Sequence, residues 1–113
     1  MSVSFGGFLE NTATFIVEDK LDEGTPVMIS DNYTVEACEE DDGFCGFVVS
    51  SDESYAAVQL RGVVTCAYSG TAPDVGYAAL AADGDGGVAE AESGTEYLIL
   101  SVDSTAGTIT FLM

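Results

Sequence analysis

The sequence predicts an all-β protein: a small barrel or sandwich built from two similar four-strand units, with an N-terminal extended arm. Three observations predict it. Short apolar stretches with a period of two alternate with Gly/Asp/Ser turns, and no stretch carries the 3.6-residue period of a helix. Nearly half of the 113 residues are hydrophobic, 6 Phe and 5 Tyr among them, so a strongly acidic chain can still build a core. The second half of the chain also repeats the first.

Residues 1–11 lie outside the repeat. Val3, Phe5, Phe8 and Leu9 surround Gly6 and Gly7, an apolar segment suited to cover one end of a barrel or to order on a partner. Residues 12–113 are read as a single β domain with the repeat at 24–62 and 76–113. Gly24-Thr-Pro-Val-Met-Ile-Ser-Asp31 lies over Gly76-Tyr-Ala-Ala-Leu-Ala-Ala-Asp83, and Val35 falls on Val88. Phe47-Val-Val-Ser-Ser-Asp52 then meets Leu98-Ile-Leu-Ser-Val-Asp103, and Val58 and Leu60 meet Ile109 and Phe111. Each unit reads as strand, tight turn, strand, acidic loop, strand, turn, strand. Neither half can cover its apolar face alone.

From Tyr55 to Tyr68 the period of two is cleanest, with Ala56, Val58, Leu60, Val64 and Cys66 on one parity. Gly62 falls in that inward row and marks a bulge or bend. Val63 to Pro73 joins the two units. At the C-terminal end Leu98, Leu100 and Val102 form one row, Asp103 to Gly107 turns, and Ile109, Phe111 and Met113 form the next, which is a hairpin.

Charge excludes more than it suggests. There are 20 acidic residues against Lys20 and Arg61, no histidine, and a formal net charge of −18. No basic patch can neutralise phosphates, which argues against nucleic acid as a partner. Without imidazole the usual general base and nucleophile activator are missing, so no enzyme activity is expected. A self-repelling surface should gain stability with added salt or modestly lower pH. No stretch approaches the length of a membrane span, and the N-terminus lacks the basic region of an export signal, so a reducing cytoplasm is the expected place of synthesis. There Cys38, Cys45 and Cys66, whose spacing matches no zinc pattern, are read as buried free thiols.

Three constellations could carry chemistry. Asp83-Gly-Asp-Gly-Gly87 reads first as a turn and second as a weak calcium candidate through Asp83 and Asp85; no other metal site and no cofactor is expected. Glu39-Glu-Asp-Asp42 reads as a solvated, mobile loop rather than a pair of catalytic acids. Tyr33, Tyr55, Tyr68, Tyr77 and Tyr97 could stack sugars if they cluster on one surface, which makes a carbohydrate- or calcium-binding surface module the alternative function.

Gly24-Thr-Pro-Val-Met-Ile-Ser, Val35-Glu-Ala, Gly46-Phe-Val-Val-Ser and Val58-Gln-Leu-Arg-Gly62 resemble the capsid decoration (head cement) proteins of tailed bacteriophages, the lambda-type and related prophage families. The resemblance is best over residues 24–62. It implies a non-enzymatic β protein, often trimeric, that binds the major capsid protein on the outside of an expanded head, which would place this chain on the virion exterior. It also implies that the N-terminal arm, here residues 2–9, orders on the capsid and extends its sheet.

Overall fold

The computed structural model describes residues 11–113. The arm residues Val3, Phe5, Phe8 and Leu9 lie outside the described residues. The described chain is all-β, with ten strands: β1 (Thr12–Ile16), β2 (Pro26–Asp31), β3 (Thr34–Ala37), β4 (Gly46–Ser51), β5 (Tyr55–Gln59), β6 (Val63–Ser69), β7 (Gly76–Ala82), β8 (Val88–Glu90), β9 (Glu96–Asp103) and β10 (Thr108–Leu112). Strands β1 to β5 close one barrel in the order β1-β3-β2-β4-β5. Strands β6 to β10 close a second in the matching order β6-β8-β7-β9-β10. In each barrel the first and third strands run parallel, Ile16 beside Thr34 and Tyr68 beside Val88, and the other pairs are antiparallel.

The duplication is therefore present, and its unit is one strand longer than the spacing suggests. Val63–Ser69 is not a joining segment but the first strand of the second barrel, with Thr12–Ile16 as its counterpart. It escaped notice because parity runs unbroken from β5 into β6. Ala56 and Val58 fill the first barrel, whereas Val64, and Cys66 packed beside it, fill the second. Gly62 (φ +105°) turns the chain between them in a conformation that other residues avoid. The repeat offset also differs locally. Ile29 opposite Val35 matches Ala82 opposite Val88, which sets Val27 over Leu80 rather than Ala79. Val58 falls on Phe111 rather than Ile109, because the β9–β10 turn is longer than the β4–β5 turn.

One inward row differs from the sequence expectation. Phe111 pairs with Ile99 and Ile109 with Val102, and the register shifts between them. Leu100 sits in that bulge, 39% exposed, while Ile99 is buried. An extra residue in one strand inverts parity beyond it, so Leu98 faces outward although it shares parity with Val102. The same shift recurs in β4, between Val48 and Ser50, where Val49 is the exposed bulge residue.

Both cores are wholly apolar; among the described residues no polar or charged side chain is buried. Val17, Val27, Val35, Val48, Ala56 and Val58 fill the first barrel. Val64, Leu80, Val88, Ile99, Ile109 and Phe111 fill the second, and two residues from the first barrel join them, Phe44 and Phe47. Phe47 follows from the bulge logic: Val48 points into its own barrel, so Phe47 points out of it. Its ring centroid lies 5.9 Å from Phe111, and Phe44 stacks on Tyr97 at 5.1 Å, 14° from parallel. Such pairs contribute about 0.5–1.5 kcal/mol beyond the area they bury. A backbone clamp reinforces this seam: Asp41 N donates to Ala82 O and Ala82 N to Asp42 O, both at 2.9 Å.

Candidate functional site

Asp83 follows β7 and is held by its own turn. Its Oδ1 accepts hydrogen bonds from the backbone N–H groups of Asp85 (2.7 Å) and Gly87 (3.0 Å), and its Oδ2 accepts from Ser69 Oγ (2.6 Å). Partial burial pushes the carboxyl pKa up, but the bonds from Ser69, Asp85 and Gly87 outweigh it and hold the group below the ordinary carboxylate value. Asp85 contributes its backbone, not its carboxylate, to this arrangement. Among the described residues no group of three or more His, Cys, Asp or Glu side chains is placed to hold a metal ion. The motif works as a turn whose carboxylate replaces missing backbone partners.

That role has a pH signature. A depressed carboxyl stabilises the fold above about pH 3.9, where the unfolded chain's carboxyl is ionised, and the contribution disappears as pH falls through the lower folded value. Asp83→Ala is expected to cost about 1–2 kcal/mol at pH 7, as loss of a cap does. The penalty should shrink as the pH falls below 4. Urea unfolding of both proteins at pH 7 and pH 3.5 checks it; a penalty that does not change with pH would contradict the capping role.

The acidic run Glu39–Asp42 is not a free loop. Asp42 Oδ2 accepts from Glu39 N at 2.9 Å, Asp41 adopts φ +70°, and the turn is clamped to β7 through Ala82. Gly84 approaches so closely that a Cβ there would stand 3.1 Å from Glu40 N. Glu39, Glu40 and Asp41 are exposed, as expected of a solvated run, but the backbone of the turn is docked on the second barrel through a contact that is invisible in local composition.

The three cysteines are free, and each is half-buried rather than buried as expected, packed at the margin of a core instead of inside it. Burial, followed by the charges of Asp42, Cys45 and Glu36, pushes Cys38 up to about 12. Burial and then Asp83 push Cys66 up to about 12, and burial raises Cys45. Cys38 N and Cys45 N donate to Pro26 O and Val27 O from opposite sides of β2. Two strand spacings, roughly 10 Å, therefore separate their backbones, too far for a disulfide. Thiols raised this far are protonated at pH 8, which slows their reaction as nucleophiles. Ellman's reagent should leave both intact in the folded protein and titrate all three thiols in guanidinium. Rapid reaction of two or more thiols in the folded state would contradict the raised pKa of Cys38 or Cys66.

The tyrosines do not gather. Tyr33 (79% exposed) lies on the β2–β3 turn, Tyr55 on β5 and Tyr77 on β7. Tyr97 is spent in the aromatic seam. Among the described residues no close aromatic pair joins two exposed tyrosines.

What the fold does assemble is a segregation of charge that no local motif announces. Strands β1, β4, β5, β6, β7 and β10 carry no Asp, Glu, Lys or Arg, and β9 carries acids only at its two ends. Outward positions follow from the register. On the first barrel they are Thr12, Thr14 and Ile16 beside Tyr55, Ala57 and Gln59. On the second they are Val63, Thr65 and Ala67 beside Thr108, Thr110 and Leu112, with Leu98 and Tyr77 continuing the row across β9 and β7. Thr65 Oγ1 and Thr110 Oγ1 lie 2.8 Å apart and satisfy one another. Each barrel thus has one neutral panel, and the acids lie in the loops and on the β2–β3 and β7–β8 side. Comparison with protein-family models and with curated proteins finds no match for this chain.

Proposed function

We propose that this chain is a non-enzymatic structural protein that binds and stabilises the exterior of a bacteriophage capsid. Its partner is the major capsid protein, and it works on the virion as a homotrimer. The observation that carries the reading is the pairing of two closed, dry barrels with charge-free panels, an architecture suited to adhesion between surfaces. The stretches that resemble head decoration proteins support it: Thr25-Pro26-Val27 opens β2, Val35-Glu-Ala37 lies in β3, and Gly46-Phe-Val48 begins β4. They are adjacent strands of one barrel, so the resemblance covers a coherent piece of structure rather than scattered letters. In this reading residues 2–9 act as the arm that pairs with the capsid's sheet edge.

Co-sedimentation with expanded, undecorated heads of a tailed bacteriophage tests it. The full chain should pellet with heads and raise their resistance to heat, and deletion of residues 2–9 should abolish pelleting while leaving the protein's own melting nearly unchanged. Failure of the full chain to bind heads would overturn the reading; normal decoration by the truncated chain would remove the arm from it.

A further inference from the structure

The first barrel is closed by less backbone than the second, and the difference leaves a groove. In the second barrel β6 pairs with β8 at Tyr68 opposite Val88 and at Ser69 opposite Ala89. The repeat sets Val17 and Glu18 on Tyr68 and Ser69, and Val35 and Glu36 on Val88 and Ala89. Yet β1 meets β3 only at Ile16 opposite Thr34. Val17 N turns away and donates to Ser54 O at 3.0 Å, and Leu21 N donates to Ser51 Oγ at 3.1 Å. The chain from 17 to 21 is thus tied to the β4–β5 hairpin instead of to β3. Between this segment and β3 lies an open groove of about 650 Å³.

Strand β3 presents a free sheet edge to the groove. Cys38 N donates to Pro26 O on β2, whereas Tyr33 O accepts from Ile16 N on β1. Backbone groups alternate in direction along a strand, so Ala37, like Tyr33, turns its N–H and C=O away from β2. Among the described residues no strand pairs with β3 on that side beyond Thr34. The lining has two characters. Val17 and Val35 are buried, while Glu18 and Glu36, on the opposite parity, are exposed, and Asp19 and Asp31 line the groove beside them. Neither Lys20 nor Arg61 lines it.

These features select the occupant. A free edge takes an extended peptide, whose main chain would complete the pairing that β6 gives β8. The carboxylates attract cations and repel acidic chains. Among the described residues they do not gather closely enough to hold a metal ion, so the cation they suit is carried on a long side chain. This chain brings none of its own: residues 1–10 hold a single charged side chain, Glu10, and a second copy has the same net charge of −18. We propose that the groove binds an extended segment of a cationic partner protein, Lys or Arg alternating with apolar residues, added as a strand to the edge of β3. Alternate side chains of the added strand then meet Glu18 and Glu36 on one face and cover Val17 and Val35 on the other.

Fluorescence anisotropy of a labelled, end-blocked peptide alternating Lys and Val, titrated with the full chain, tests it at about 0.05 M NaCl, where charges are weakly screened. One-to-one binding is expected, and amide exchange at Ala37, followed by NMR, should slow at saturation. The same peptide with N-methylated backbone amides keeps its charge and should bind about tenfold weaker or worse, as the loss of one or two hydrogen bonds implies. Ala37→Pro removes the edge N–H without removing a donor that β2 uses, and should weaken binding by a similar factor. Glu18→Gln with Glu36→Gln should weaken it several-fold, and more than Glu53→Gln with Glu92→Gln, the same change of charge at exposed sites outside the groove. If Ala37→Pro does not fold, the N-methylated peptide and Ala37 exchange in the parent chain decide the matter. No binding, equal binding of the N-methylated peptide, unchanged Ala37 exchange at saturation, or equal effects of the two double substitutions overturns the proposal. No capsid enters these measurements, so failure to bind heads would leave the groove standing, and a groove that binds no peptide would leave the capsid reading to its own test.

Discussion

Phe111→Ala is expected to lower stability by about 3–5 kcal/mol, the range for a fully buried aromatic truncated in a core that cannot collapse around the gap. The side chain is 0% exposed. Its ring touches both sides of the seam: Tyr97 at 5.4 Å from its own barrel, and Phe47 at 5.9 Å and Phe44 at 6.0 Å from the other. Truncation would therefore empty the end of the second barrel and remove the surface on which the first barrel rests. Small domains hold about 5–15 kcal/mol in total, so the variant should be close to unfolding at room temperature. Urea unfolding followed by tyrosine fluorescence measures the loss. Leu112→Ala, one residue away on the outward parity, should change stability by less than about 0.5 kcal/mol, as surface substitutions do. Equal effects at Phe111 and Leu112 would mean that the parity of β10 has been misassigned.

That contrast between neighbours shows what the sequence made legible and what it concealed. The period of two put Ile109 and Phe111 in one row, and both are buried, because β10 pairs along its length with no shift on the β6 side. It put Leu98, Leu100 and Val102 in one row as well, and the bulge in β9 breaks that row. A bulge is set by how two strands meet, and nothing in Tyr-Leu-Ile-Leu-Ser distinguishes a straight strand from a bulged one. The duplicated counterpart, Phe47-Val-Val-Ser, carries the same ambiguity, so aligning the halves reinforced the error instead of exposing it.

The candidate site was legible to a different degree. Asp83 was readable as a turn residue because the turn is local, its partners Asp85 and Gly87 lying within four positions. The neutral panels were not readable, although every uncharged strand was in plain view. Charge on a surface is a property of which strands lie side by side, and β1 meets β5, and β6 meets β10, across 39 to 49 residues of chain. The one available signal was that the acids avoid six strands and crowd the loops, and it gains meaning only once barrel closure puts those strands together.

Gly46→Ala is the second substitution expected to do large damage, by about 3 kcal/mol or more, at the upper end of what overpacking costs. A Cβ at position 46 would stand 2.3 Å from Gln59 O and 2.7 Å from a Val58 methyl carbon, and the first of these is backbone that cannot swing aside. Relief requires β4 to part from β5, yet those strands are stapled at Phe47 opposite Gln59 and Val48 opposite Val58. Val58 is itself 0% exposed in the first core. The strain would therefore fall on both roles of β4: Val48 filling one barrel and Phe47 anchoring the other. Gly43 supplies the control, since a Cβ there meets nothing within 4 Å and its φ is not in the left-handed region. Gly43→Ala should be neutral or stabilise by up to about 1 kcal/mol, through the reduced freedom of the unfolded chain. If thermal unfolding finds Gly46→Ala as mild as Gly43→Ala, then β4 does not pack against β5 this closely, and the outward direction of Phe47, on which the joining of the barrels depends, loses its support.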